Sequence, residues 1–210
     1  MADDVEPLPI MRLAAAAAVE LDLPPSFVFD LIKEDDWSFV VKAHALLESI
    51  VTQALLEHVA EKKLHENLAK LDLVRKRSLL EAVEPELFDK GDRRFMQALS
   101  ALRNRLVHSV RRIRFTFDEE LSGDAAVRKF EDDFTAPFPG GSLNAGVFAK
   151  GLALTRVYPK VIVWTSLTMV TAKVQGYKER RRSPAVRGLQ QALVDALMKG
   201  TMDAGPPEGS

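Results

Sequence analysis

Cysteine is absent from the 210-residue chain, which excludes disulfides, zinc–thiolate sites and thiol nucleophiles and suits a cytoplasmic protein. Aromatic residues are scarce, 7% of the chain against 47% for all hydrophobic residues. Leu and Ala make up much of the difference, a balance that favours helices over sheets. Excess charge of either sign is also missing, since 29 Lys and Arg oppose 30 Asp and Glu for a formal net charge of −1. A globally basic nucleic-acid binder is thereby excluded, and any such contact must come from local basic patches. The apolar stretch Val161–Ala172 is too short to cross a bilayer and is diluted by Thr and Ser. Another apolar run, Leu13–Val19, follows the acidic start Met-Ala-Asp-Asp-Val-Glu, where a signal peptide would carry cations. The expectation is a soluble all-α helical bundle of roughly six to eight helices, one domain with appendages.

What is present reads as helices in series. Residues 1–35 form an acidic N-terminal helical arm, and through residue 36 nine acidic side chains oppose two basic ones. That arm is either a solvated acidic face or a shield for a basic surface of the chain or its partner. A helix is predicted from Pro9 to Leu21, ended by Asp22-Leu23-Pro24-Pro25, with Ser26 capping a short helix through Ile32. Asp35 and Asp36 can cap a long helix from Trp37 to Lys63, whose stripe is Val40, Leu47, Val51, Ala54 and Leu55. His44 falls on that stripe one turn before Glu48, either as a core-edge histidine paired with its i+4 neighbour or as a support behind a site. His58 and His65 lie among Glu57, Glu61 and Glu66 without the HExxH spacing, so no metal site is expected. The next helix is predicted from Leu68 to Val83, with Arg75-Lys76-Arg77 across its surface. Pro85 then interrupts, and Gly91-Asp92 offers a turn and a cap for a helix that Arg93 and Arg94 begin. Cations at that end oppose the helix dipole, a local cost that a phosphate or an acidic partner offsets.

The stretch from Ala98 to Val110 carries Arg103-Asn104-x-x-x-His108. Leu99, Leu102, Leu106, Val110 and Ile113 recur every three or four residues, which predicts an amphipathic helix running to about Ile113. A guanidinium, an amide and an imidazole then project from a helix whose other side is core. Arginine can hold phosphate through a fork of donors and histidine can move protons near neutral pH, a combination that suits RNA chemistry without a metal. Asn104 and His108 share a face, whereas Arg103 and His108 diverge by about 140° on an ideal helix. One straight helix therefore does not aim both at one phosphodiester without a bend or the reach of the arginine. Arg105, Arg111, Arg112 and Arg114 are the candidate RNA contacts. With Phe115 and Phe117 interleaved they suit a single-stranded path, although cations at a helix C-terminus are expected on dipole grounds alone.

Arg114 to Phe117 alternates as a brief extended segment would, and Asp118–Asp124 reads as a polar turn before a short helix from Ala125 to Phe134. The loop Thr135–Asn144 is rich in Pro and Gly but lacks the Gly-Lys-Ser/Thr of a P-loop. Val147 to Glu179 is helical in tendency, with Pro159 kinking or splitting it. Val161–Ala172, apolar nearly all round, suits central core or a subunit interface. Lys178-Glu-Arg-Arg-Arg182 is a solvated helix end or a contact for nucleic acid or an acidic partner. Residues 183–199 read as a C-terminal helix capped by Ser183, and 200–210 as a disordered tail.

Arg-Asn-x-x-x-His near the end of a long helix, preceded by a helical pair, resembles the signature of the HEPN superfamily. Trp37-Ser-Phe-Val-Val-Lys-Ala-His-Ala-Leu-Leu-Glu-Ser49 also resembles the long helix that comes before the motif in prokaryotic members. The similarity spans residues 36 to 180, about two thirds of the chain. It implies an HEPN-like helical core over 36–182 and a metal-independent endoribonuclease of the toxin–antitoxin or phage-defence type, working without a cofactor. It further implies a homodimer in which Arg103 and His108 of one subunit work with those of the other, and a cognate antitoxin or regulatory protein as a further partner. Under that reading Arg103 binds the scissile phosphate and stabilises its developing charge. His108 serves as general base or acid for the ribose 2′-hydroxyl or the leaving oxygen, and Asn104 orients the imidazole or donates to phosphate. The alternative is a non-enzymatic regulator or interaction module of the same fold, with the three residues hydrogen-bonded at a helix–helix or dimer contact. A DNA-binding repressor is disfavoured, since no helix-turn-helix with a recognition helix is evident.

Overall fold

The computed structural model describes residues 8–109, 112–138 and 155–184. Among these, α1 (Pro9–Glu20) and α2 (Phe27–Asp30) precede a 3-10 turn (Leu31–Lys33), followed by α3 (Asp36–Leu56), α4 (Lys62–Ala69) and α5 (Leu73–Val83). Then come α6 (Lys90–Val107), α7 (Phe117–Glu120), α8 (Asp124–Phe134) and α9 (Pro159–Arg182). No strand occurs among the described residues, and the architecture is an all-α bundle. The chain through Gln175 forms one compact unit and Gly176 onward a second.

α3 is the centre of the first unit and packs against α5 and α6, while α6 packs against α8. Every residue of the anticipated stripe on α3 is buried, together with Phe39, Leu46 and Ile50. This helix is long and apolar enough to cross a bilayer by length and composition alone. Only Val161–Ala172 was expected to approach that property from the sequence, and Asp36–Leu56 exceeds it while 56% of its apolar window is buried. Phe39, Phe117, Phe130, Phe134 and Phe95 meet in successive ring contacts, from Phe39–Phe117 at 6.1 Å to Phe130–Phe134 at 4.4 Å. A short supply of aromatics is thus concentrated where α3, α6 and α8 converge, and buried rings carry much of the packing energy.

Several boundaries differ from the sequence expectation, each for a local reason. α3 ends at Leu56 rather than Lys63, because Glu61 starts a new helix by accepting the Lys63 amide at 3.2 Å. The Val59 carbonyl freed by that break is engaged by His65 Nε2 at 2.9 Å. The helix expected over Leu68–Val83 begins only at Leu73, where Asp72 accepts the Arg75 amide at 2.9 Å. Of the Arg75-Lys76-Arg77 run only Arg75 is exposed, since the Lys76 side chain, 3% exposed, turns inward to Glu48. Asp35 caps α3 through the Ser38 amide at 2.9 Å, but Asp36 instead accepts the Phe117 amide at 2.9 Å and pairs with Lys160 at 2.7 Å. Ser26 makes no side-chain cap.

α6 begins at Lys90, ahead of the Gly91-Asp92 turn expected there. Asp89 and Asp92 form a reciprocal capping box, each carboxylate taking the other's amide at 3.0 Å, which satisfies two otherwise orphaned donors. Gly91 falls inside the first turn, at a position where a Cβ would overlap the Ala136 carbonyl and only glycine fits. The helix closes at Val107 rather than Ile113, and Ile113 is 60% exposed. Phe117 opens a helical turn capped by Thr116 instead of ending an extended segment. Gly123 supplies the φ of +95° that precedes α8, a region favoured by glycine.

Pro159 splits rather than kinks the C-terminal helical stretch: Thr155–Val157 are helical, Tyr158 is not, and Pro159 is the first residue of α9. A proline lacking its N–H loses nothing at that position. Val163, Leu167, Val170 and Val174 are buried, so most of Val161–Ala172 is core, while Val161 itself is 42% exposed. Lys160 and Trp164 donate to the Glu34 and Val28 carbonyls at 2.7 and 2.6 Å, and Gln175 Nε2 to Glu20 Oε1 at 2.7 Å. In the second unit α9 continues to Arg182, where Arg181 lies over the Tyr177 ring at 5.9 Å and donates to its hydroxyl at 3.3 Å. Of the basic run, Arg180 and Arg182 are exposed and Lys178 is buried. Most of the Thr135–Asn144 loop, the start of the helix expected from Val147, the C-terminal helix over 183–199 beyond Pro184, and the 200–210 tail lie outside the described residues.

Candidate functional site

The far end of α6 carries the Arg103-Asn104-x-x-x-His108 group. Phe95, Met96, Leu99, Leu102 and Leu106 bury one side of this helix, and the motif occupies the other. Arg103 is half-buried and its Nη1 donates to the Asn104 side-chain oxygen at 3.1 Å. His108 is the C-cap, with φ −87° and ψ 1°, and its amide donates to the Asn104 carbonyl at 3.2 Å. Asn104 and His108 are exposed. The structure thus links Arg103 to Asn104 by side chain and Asn104 to His108 by backbone. It shows no bond between the Arg103 and His108 side chains within one chain.

Charge pairing separates Arg103 from its neighbours. Arg93 pairs with Glu81 at 2.9 Å and Arg94 with Asp133 at 2.8 Å, so acidic partners offset the cations near the start of α6. Arg105 pairs with Glu120, whose other oxygen lies 3.7 Å from Arg112. Among the described residues Arg103 alone of the α6 arginines has no carboxylate partner. Arg114 is exposed and likewise has no ion-pair partner among them, whereas Arg111 lies outside the described residues. Phe115 and Phe117, expected at the surface, are 6% and 1% exposed. Their edge-to-face contact at 5.3 Å and the packing of Phe117 on Phe39 and Phe130 turn both rings into the core, away from any stacking role.

Behind the motif lies a group the sequence only half revealed. His44 packs from α3 with Nε2 3.2 Å from Ser100 Oγ and Nδ1 3.7 Å from Glu48 Oε2. Lys76 Nζ donates to Glu48 Oε1 at 2.8 Å. The His44–Glu48 pairing follows from i,i+4 spacing. Ser100 and Lys76 gave a weaker signal, as polar residues on otherwise apolar helix faces. Burial holds His44 below the ordinary histidine range; Glu48 opposes that, and the charges of Arg103 and Lys76 reinforce it.

A cavity of about 160 Å³ opens between α6 and α8, floored by alanines and phenylalanines and rimmed by Arg105, Glu120, Lys129 and Asp133. Two cations face two carboxylates there, and Arg103, Asn104 and His108 do not line it. His58 lies 3.8 Å from Glu84, and among the described residues no three His, Asp or Glu side chains gather as a metal site would require. Compared with known proteins, the chain matches no family model, no curated protein and no solved structure.

Proposed function

We propose that the chain is a metal-independent endoribonuclease of HEPN type. The observation that carries this reading is the state of Arg103: half-buried and, among the described residues, bonded only to the Asn104 amide oxygen and without a carboxylate, while the other arginines of its helix are neutralised. A permanent cation held in that condition suits a phosphate and the charge that develops on it. His108, exposed one turn beyond Asn104 at a helix end, would on this reading exchange protons with the substrate as general base or acid. The nucleophile is the ribose 2′-hydroxyl, so the product is a 2′,3′-cyclic phosphate and DNA is inert. The described residues show no hydrogen bond between the Arg103 and His108 side chains, and on the HEPN reading the working site is shared across a homodimer. A cognate antitoxin or other regulatory protein, a role in phage defence and a cytoplasmic setting belong to the same proposal.

A second reading, a non-enzymatic helical regulator, draws support from Glu120, which already occupies Arg105 and Arg112. Incubating labelled RNA with the purified protein in EDTA separates the two. The ribonuclease reading expects cleavage that falls by about 10² or more in His108→Ala and in Arg103→Ala, with folding and dimerisation retained. Cleavage that survives both substitutions removes these residues from the active site, and a parent silent toward RNA of varied sequence favours the regulator.

A further inference from the structure

Beneath Arg103 lies a polar network that the proposed chemistry leaves unused. His44 and Ser100 are 7% and 8% exposed and Lys76 is 3% exposed, and the three come from α3, α6 and α5. Burying such groups costs free energy unless their hydrogen bonds are made, and apolar side chains of similar volume would serve packing alone at least as well. Two hydrogen bonds are made here, Lys76 to Glu48 and His44 to Ser100, and a carboxylate oxygen stands near the remaining ring nitrogen. Lys76 holds one oxygen of Glu48 at 2.8 Å, and the other oxygen stands 3.7 Å from His44 Nδ1. A neutral imidazole has one donor and one acceptor nitrogen. With the proton on Nδ1, toward the carboxylate, Nε2 accepts the Ser100 hydroxyl across 3.2 Å.

Ser100 joins His44 to the motif helix. Spacings of three and four place Arg103 and Asn104 on the same face of α6 as Ser100, so the residue that receives His44 also supports the motif. A serine within a helix otherwise tends to bond back to the carbonyl of the preceding turn, which bends the helix. His44 withdraws the hydroxyl from that alternative. The same imidazole lies close enough to Arg103 to feel its charge.

We propose that His44 is a positioning residue for Arg103, holding through Ser100 the turn of α6 that presents the guanidinium to an anion. Its kinetic consequence rests on the ribonuclease reading, but its structural consequence does not. The full chain is therefore compared as parent, His44→Leu, Ser100→Ala and His44→Gln, the last able to keep one bond to Ser100. The first readout is the Arg103 Nε–H resonance, assigned by its loss in Arg103→Lys, with its heteronuclear NOE reporting order. It is expected to be ordered in the parent and in His44→Gln, and mobile in His44→Leu and Ser100→Ala at unchanged secondary structure.

The second readout is RNA cleavage beside binding of an uncleavable 2′-O-methyl RNA. His44→Leu and Ser100→Ala should lower kcat roughly tenfold while affinity stays within about threefold, and His44→Gln should recover most of the loss. An unchanged Arg103 resonance in the folded variants overturns the proposal, as does a loss that follows melting temperature and that glutamine does not restore. If His44→Leu fails to fold, Ser100→Ala carries the test. A parent that cuts no RNA sinks the ribonuclease reading alone, since the resonance still decides the positioning role.

Discussion

Glu131 offers a perturbation whose sign and size both follow from its surroundings. It sits on the inner face of α8 beside Val127, Phe130 and Phe134, is 3% exposed, and among the described residues neither carboxyl oxygen has a hydrogen-bond partner. Burial pushes its carboxyl up, and the neighbouring Asp132 charge adds to the effect. Below the ordinary glutamate value of about 4.3 the group is neutral in both folded and unfolded chains, so it costs nothing electrostatic there. As pH rises through that value the unfolded chain ionises while the folded one keeps its proton. Stability then falls until pH passes the raised folded value, and levels off above it. Glu131→Gln removes the titration but leaves a buried polar group; Glu131→Met removes both. An unsatisfied buried polar group costs about 1–3 kcal/mol, more if charged. The glutamine keeps that polar penalty and sheds only the excess due to charge, so Glu131→Gln should gain about 1 kcal/mol or more at pH 7.5, an increase in Tm of about 2–4 °C per kcal/mol for a chain of this size, and next to nothing at pH 4. Glu131→Met should be more stable than the parent at both. Thermal melts of the three proteins at the two pH values provide the check. A glutamine gain equal at pH 4 and 7.5, or absent at pH 7.5, would refute the reasoning by showing that the carboxylate is satisfied.

Other expectations concern the ends of α6. Lys173 holds both carboxylates of the capping box, Asp89 at 2.8 Å and the buried Asp92, and burial pushes Asp92 up even with that lysine beside it. Lys173→Met strands Asp92 and should cost about 3–5 kcal/mol in urea unfolding at neutral pH; a loss under about 1 kcal/mol, within the range of a surface ion pair, would show that the pair matters little. Phe117→Ala should destabilise by about 3–5 kcal/mol, as a core ring does, rather than weaken RNA binding in a protein of unchanged stability; the opposite pattern in melts and anisotropy titrations would restore its role as a stacking platform. On the ribonuclease reading, Glu120→Gln frees Arg105 and Arg112, so RNA binding should tighten and its log–log salt dependence steepen by about one to two phosphate contacts. An unaltered slope would mean that those arginines do not meet the backbone.

Periodicity and end signals are local, and what depends on them was legible. The stripe of α3, the limits of α1, the apolar side of α6 and the break at Pro159 follow from residues within a turn or two of each other. The same holds for the pairing of His44 with Glu48 and for the exposure of Asn104 and His108. Reading the motif helix to Ile113 overextended a repeat whose last member faces solvent, because one further leucine-like residue in register looks the same whether or not the chain has turned away. What tertiary structure decided was the identity of distant partners. Asp36 looks like a cap in sequence but serves the Phe117 amide 81 residues away, and Lys76 in a basic run is drawn inward by Glu48, 28 residues earlier. Phe115 and Phe117 alternate as surface rings would, yet both are buried, Phe117 against Phe39 and Phe130 and Phe115 against Phe117. Ser100 becomes significant only when α3 and α6 pack and bring His44 to it across 56 residues. A side chain's local pattern states where it can point; the low dielectric and close packing of the assembled bundle select the partner that makes its burial tolerable.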